Sequence, residues 1–70
     1  MNKQEIGNII KKRREALSLK QEDLSEMSGI TSKTIYLVEN GKGNPSFDTI
    51  EKLLEIIGLE ILVEVKKMDQ

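Results

Sequence analysis

Seventy residues allow one small domain, and a chain of that size buries only about 60% of the surface its unfolded form exposes. The absence of cysteine excludes disulfides and thiolate metal sites, and the absence of histidine removes the ordinary neutral-pH general base, so neither Ser-His nor Cys-His catalysis can be built. The net charge is −1, no apolar run approaches the roughly 18 residues of a membrane span, and no signal-peptide pattern follows Met1, which predicts a soluble, cytoplasmic protein.

In chain order, residues 3–17 read as a first helix, with Ile6, Ile9, Ile10 and Leu17 at the helical period and Arg13 and Arg14 interrupting the stripe. Charge is unevenly spread. Residues 1–20 hold six basic side chains against two acids, a local +4, while residues 21–40 sum to −3 and residues 41–70 to −2. A basic N-terminal third can therefore offer one positive face in an acidic protein, or simply be a solvated helix; Lys11 and Lys12 are expected to face solvent.

The most informative stretch is residues 21–40, QEDLSEMSGITSKTIYLVEN, where residue types recur at the spacing of a helix-turn-helix. Gln21, Glu22 and Asp23 open a short helix whose acids suit the positive end of its dipole, with Leu24 and Met27 facing inward. Ser25 is small where a second helix must cross. Gly29 tolerates the positive φ at which the first helix stops. Thr31 then caps a second helix, with Ile35 and Val38 on one face and Lys33, Tyr36, Leu37 and Asn40 as a stripe on the other.

Gly41 ends that helix, and GKGNP makes a turn. Ser46 caps a fourth helix over residues 47–57, whose expected buried face is Phe47, Ile50, Leu53, Leu54 and Ile57. After Gly58 the period changes from 3.6 to 2. In residues 59–66, Leu59, Ile61, Val63 and Val65 alternate with Glu60, Leu62, Glu64 and Lys66, a strand pattern about 26 Å long. Nothing else in the chain reads as its partner. An unpaired strand exposes its backbone, so the economical solution is antiparallel pairing with the same strand of a second copy.

With these residues in view, the chain resembles the Cro/C1-type (Xre) helix-turn-helix family of bacterial and phage repressors. The resemblance covers residues 5–58 and rests on the motif itself, on Leu19 and Gln21 before it, and on Glu39, Asn40, Gly41, Asn44, Pro45 and Ser46 after it. It implies a second motif helix in the DNA major groove while the first lies across the phosphates. Residue by residue, it implies base contacts from Ser32, Lys33 and Tyr36, with Leu37 extending that face. It also implies phosphate contacts from Gln21, Asn40 and Lys42, and a structural salt bridge between Arg14 and Glu39. The chemistry suits these roles: lysine donates to guanine O6 or N7 or to a phosphate, serine donates or accepts, and leucine contacts a thymine methyl group. Lys20 departs from the pattern, standing where a hydroxyl usually caps the helix, and leaves N–H donors for a phosphate.

The C-terminal strand narrows the resemblance to the HipB-type antitoxins. The expected fold is therefore all-α, a four-helix, lambda-repressor-like body over residues 1–58, with a dimerisation strand over 59–66 and a frayed tail over 67–70. The resemblance implies a homodimer that binds double-stranded DNA at an inverted repeat, represses its own operon and holds a HipA-like kinase toxin, without cofactor, metal, membrane or small-molecule ligand. A stand-alone phage or mobile-element regulator is the alternative. A rival of another class is a protein-interaction module that uses the same fold without DNA. An enzyme has no support, because Glu22, Asp23 and Glu26 lie on a helix surface without a catalytic constellation.

Overall fold

The computed structural model describes residues 1–67. Four helices follow one another: α1 (Lys3–Ala16), α2 (Gln21–Ser28), α3 (Ser32–Glu39) and α4 (Phe47–Ile56). Each is short, and short helices are marginal in isolation, so their ends are fastened locally. Asn2 opens α1 with a reciprocal cap: its Oδ1 accepts from the Glu5 N–H at 2.9 Å, and its own N–H donates to Glu5 Oε1 at 3.2 Å. Thr31 Oγ1 accepts from the Thr34 N–H at 3.2 Å, and Ser46 Oγ from the Thr49 N–H at 3.1 Å, which fixes the entries of α3 and α4. Lys20 has no acceptor to offer, and α2 is fastened from one side only, by the Lys20 N–H donating to Asp23 Oδ2 at 2.8 Å.

The core consists of Ile10 from α1, Leu24 from α2, Ile35 and Val38 from α3, and Leu53, Leu54 and Ile57 from α4 and its cap, with Ile6, Leu19, Ile30, Ile50, Ile56 and Leu59 packed around them. Four expected core residues are corrected. Ile9 and Leu17 are 41% and 42% exposed, Met27 is 52% exposed and Phe47 is 64% exposed. On α1 the buried stripe runs through Gly7, Ile10 and Arg14; Ile9 sits about 100° around the helix from Ile10, and Leu17 lies past the last turn. Phe47 is the first residue of α4, where no following helix covers it.

Gly7 explains how α1 meets α3. A β-carbon at Gly7 would lie 2.1 Å from the Val38 carbonyl oxygen and 3.0 Å from that of Glu39. Only glycine lets the two backbones approach so closely. Just beyond, Gly41 has φ +68°, and a β-carbon there would be 2.9 Å from Gln4 Cα, so glycine is required on both conformational and steric grounds. The C-terminal end of α3 is thereby pressed against the first two turns of α1.

Residues 59–67 form no strand, and among the described residues there is none. The expected strand is thus absent from the single chain. The Leu59 N–H donates to the Leu54 carbonyl at 2.8 Å, and Leu59 is half-buried against the core. Beyond it Ile61 is 42% exposed, Leu62 74%, Val63 91% and Val65 97%. The physical reason is that a ladder needs two strands, whereas the alternating pattern supplies one. Of the tail expected over 67–70, residues 68–70 lie outside the described residues.

Candidate nucleic-acid interface

The site is the outward face of α3, and its orientation is set by what holds the inward face. Ile35, Val38 and Glu39 are buried. Arg14 Nε donates to Glu39 Oε2 at 2.6 Å and Arg14 Nη2 donates to Glu39 Oε1 at 2.9 Å, a two-pronged pair with both side chains out of solvent. The remaining guanidinium nitrogen, Nη1, donates to the Leu19 carbonyl at 2.7 Å, in the turn between α1 and α2. Gln21 completes the cluster, its Nε2 donating to Glu39 Oε1 at 3.0 Å. One buried carboxylate at the end of α3 therefore ties together α1, the following turn and the first residue of α2. Among the described residues no buried side-chain nitrogen or oxygen lacks a partner, which is the condition under which a buried charge pair holds its neighbours rather than weakening them.

Hydrogen bonding to Glu39 raises the Arg14 pKa against the opposing effect of burial, with the Glu39 charge adding to the rise. A base whose pKa is raised on folding contributes stability that is present below its unfolded value and is lost only as pH climbs through the folded one. For an arginine that window lies at strongly alkaline pH, so mildly alkaline conditions leave this side of the clamp charged.

With α3 held from behind, Lys33, Tyr36 and Asn40 stand exposed along its outer surface, and Ser32 is half-buried at its first turn. The expected stripe is not uniform. Asn40 Nδ2 donates to the Tyr36 carbonyl at 2.8 Å, so its amide caps the helix with one of its two N–H donors. Leu37 is half-buried; its Cβ and Cδ1 each lie 3.6 Å from where a β-carbon at Gly43 would be. It packs against the turn after α3 at the margin of the surface that carries Lys33. Gln21, half-buried and bonded to Glu39, keeps the first turn of α2 in place. Lys42 is exposed, and its backbone N–H donates to the Leu37 carbonyl at 2.8 Å, closing α3 and fixing where that lysine starts.

The turn carrying Lys42 is held from a distance. Lys3 Nζ donates to the Gly43 carbonyl at 2.7 Å and to Asn44 Oδ1 at 3.2 Å. Arg13 Nε donates to the Ile57 carbonyl at 2.8 Å, where a cation also suits the negative end of α4. Neither contact is visible in the sequence, since each joins residues at least 40 positions apart; Gly7, a glycine inside a helical pattern, is the one readable signal of the α1–α3 crossing. The basic N-terminal third is accordingly not one open positive face. Arg14 is buried and neutralised, Arg13 and Lys3 are engaged within the fold, and Lys11, Lys12 and Lys20 are the basic residues of that third that are exposed without such engagement.

Among the described residues no group of three or more acidic side chains is placed to hold a metal ion, and no helix is long and apolar enough to cross a membrane. The chemistry on offer is hydrogen bonding and charge, presented by an eight-residue helix.

A family model described as helix-turn-helix matches residues 10–63, more than half of the chain. An uncharacterized HTH-type transcriptional regulator of Methanothermobacter thermautotrophicus is 31% identical over 65 residues, covering 93% of this chain and 94% of that protein. The HTH-type transcriptional regulator PuuR of Escherichia coli is 33% identical over 67 residues, which span 91% of this chain but only 36% of PuuR. A putative HTH-type transcriptional regulatory protein of Methanococcus maripaludis is 30% identical over 63 residues, 90% of this chain and 19% of that protein. The chain thus corresponds to nearly the whole of one short relative and to one segment of much longer ones. The matched helices, the α2–α3 geometry and these relatives together place the chain in the helix-turn-helix family of HTH-type transcriptional regulators, of the Cro/C1 type.

Proposed function

We propose that the chain is a sequence-specific DNA-binding repressor that acts as a homodimer, with α3 as the reading helix. The observation that carries this is the pairing of a locked inner face with an open outer one: Glu39 is fixed by Arg14 and Gln21, while Lys33 and Tyr36 project outward from the same helix. Binding in the major groove needs a helix whose side chains, not its axis, adapt to the bases. In this reading Ser32, Lys33 and Tyr36 read base edges, and Leu37 supports the turn at the margin of that surface. Lys42, the second N–H of the Asn40 amide and the N-terminal turn of α2 around Gln21 meet phosphates. The unit is residues 1–58, and residues 59–66 pair across the two-fold as an antiparallel ribbon. Two reading helices so joined require an inverted repeat with half-sites about 34 Å apart. The setting is cytoplasmic, since that is where operator DNA lies.

The test is selection of bound sequences from a random duplex library, followed by titration at several salt concentrations. A two-fold-symmetric site whose affinity falls steeply with salt supports the reading. Retention of no duplex at low salt would instead favour a module that uses this fold only to grip protein.

Two biological settings fit a repressor of this form. The alternating C-terminal segment is similar to that of HipB-type antitoxins, which supports a role as the antitoxin of a HipBA-type operon holding a HipA-like kinase. The Methanothermobacter relative is named only as an HTH-type transcriptional regulator, and a stand-alone phage or mobile-element regulator is the second setting. Affinity purification from native cells after nuclease treatment separates them: a kinase-like protein in fixed ratio supports the antitoxin, and recovery of this chain alone supports the regulator.

A further inference from the structure

Lys3 runs against a local rule. It is the first residue of α1, where the helix dipole favours an acid and disfavours a cation. Its ammonium turns instead to the segment after α3, donating at 2.7 Å to the Gly43 carbonyl and at 3.2 Å to Asn44 Oδ1. Two features allow that reach. The reciprocal cap of Asn2 and Glu5 fixes the first turn of α1. Gly41 lets that turn lie against the end of α3, where a β-carbon would fall 2.9 Å from Gln4 Cα.

The tether falls where the chain needs one. Lys42 stands between Gly41 and Gly43, at φ +68° and +73°, and glycine has more backbone freedom to lose than any other residue. Before Lys42 the chain is fixed, since the Lys42 N–H donates to the Leu37 carbonyl at 2.8 Å. The turn also spans a cavity of about 130 Å³, walled by Ile6, Val38, Pro45 and Ile50 and bordered by both Lys3 and Lys42. Packing on that side therefore does not fix Lys42, and the Lys3 bonds hold the chain just after it.

We infer that Lys3 is a positioning residue for DNA binding: its bonds to Gly43 and Asn44 hold Lys42 where a backbone phosphate lies, and Lys3 touches no phosphate itself. The inference rests on the reading of Lys42 as a phosphate contact, proposed above. The same bonds engage two acceptor oxygens directly after Lys42, whose partial negative charge would otherwise oppose an approaching phosphate.

A double-mutant cycle on the full chain tests this. Affinity for the selected operator is titrated at 0.15 M salt and above, where exposed charges more than about 8 Å apart are largely screened, and thermal unfolding is run on each variant. Lys3→Met keeps the aliphatic stem and removes the ammonium. In the wild-type background it should weaken binding about three-fold, equally for all sequences, which is the scale of an exposed tether. In a Lys42→Ala background it should change neither affinity nor salt slope, because the side chain it positions is gone. Lys3→Arg keeps the donors and the charge and should bind as the wild type does.

Losses that add in the double variant, with the salt slope falling by about one further unit, would make Lys3 a phosphate contact in its own right and overturn the inference. Full affinity in Lys3→Met, whether or not the unfolding midpoint falls, would reduce the tether to a structural tie and overturn it too. Both outcomes leave the role of Lys42 standing. If Lys42→Ala alone keeps wild-type affinity and slope, the phosphate reading of Lys42 fails, and the inference with it.

Discussion

The two faces of α3 share eight residues and differ in almost everything else. On the inner face a carboxylate accepts from two side chains across α1 and α2, a glycine lets α1 come within backbone contact, and Ile35 and Val38 are sealed into the core. On the outer face Lys33 and Tyr36 stand exposed. The difference teaches a division of labour: one side of a short helix can be given over to a ligand because the other side fixes its position.

The largest expected effect comes from breaking the inner face. Glu39→Gln leaves Arg14 buried beside a neutral acceptor and should cost about 3–5 kcal/mol in urea unfolding, a large share of the roughly 5–15 kcal/mol available to a small domain. A Glu39→Gln protein with unchanged midpoint and unchanged DNA binding would show that the pair holds nothing. Next is Gly7→Ala, whose sign is diagnostic. Helix propensity alone favours alanine by about 1 kcal/mol, whereas the crossing with Val38 predicts a net loss of about 1–3 kcal/mol. A rise in thermal midpoint would mean the helices are not in contact there.

On the outer face the pattern should reverse, with stability kept and affinity lost. Lys33→Ala should leave the unfolding curve in place and reduce specific affinity by about 1–3 kcal/mol if the lysine reads a guanine; full affinity for the selected operator would remove Lys33 from the surface. The smallest effect is expected at Lys42. Its replacement by alanine should lower the slope of log affinity against log salt by about one unit, equally for all sequences. A sequence-dependent loss would mean that Lys42 reads bases instead.

Several of these features could be read directly from the residues. Ser46 and Thr31 are hydroxyl caps whose acceptor chemistry is local, and Ile10, Leu24, Ile35 and Leu53 declare themselves by helical period, so the helices and most of the core follow from nearest-neighbour rules. Gly29, at φ +77°, closes α2 for the same reason. Phe47 and Met27 did not follow: period alone places a residue on a face, but only the arrangement of helices says whether another element covers that face.

Sequence by itself determined four helices, the hydroxyl caps of α3 and α4, the turn at Gly29, and the alternating character of residues 59–66, because each depends on interactions spanning only a few positions. Tertiary structure decided which further cations are engaged inside the fold, through Lys3 on Gly43 and Arg13 on Ile57, whereas the pairing of Arg14 with Glu39 was already implied by the family resemblance. It also set Leu37, half-buried, against the turn at Gly43. Those outcomes depend on groups 6 to 44 residues apart meeting in space, and no local pattern of charge or hydropathy encodes a distance that the packing of helices creates.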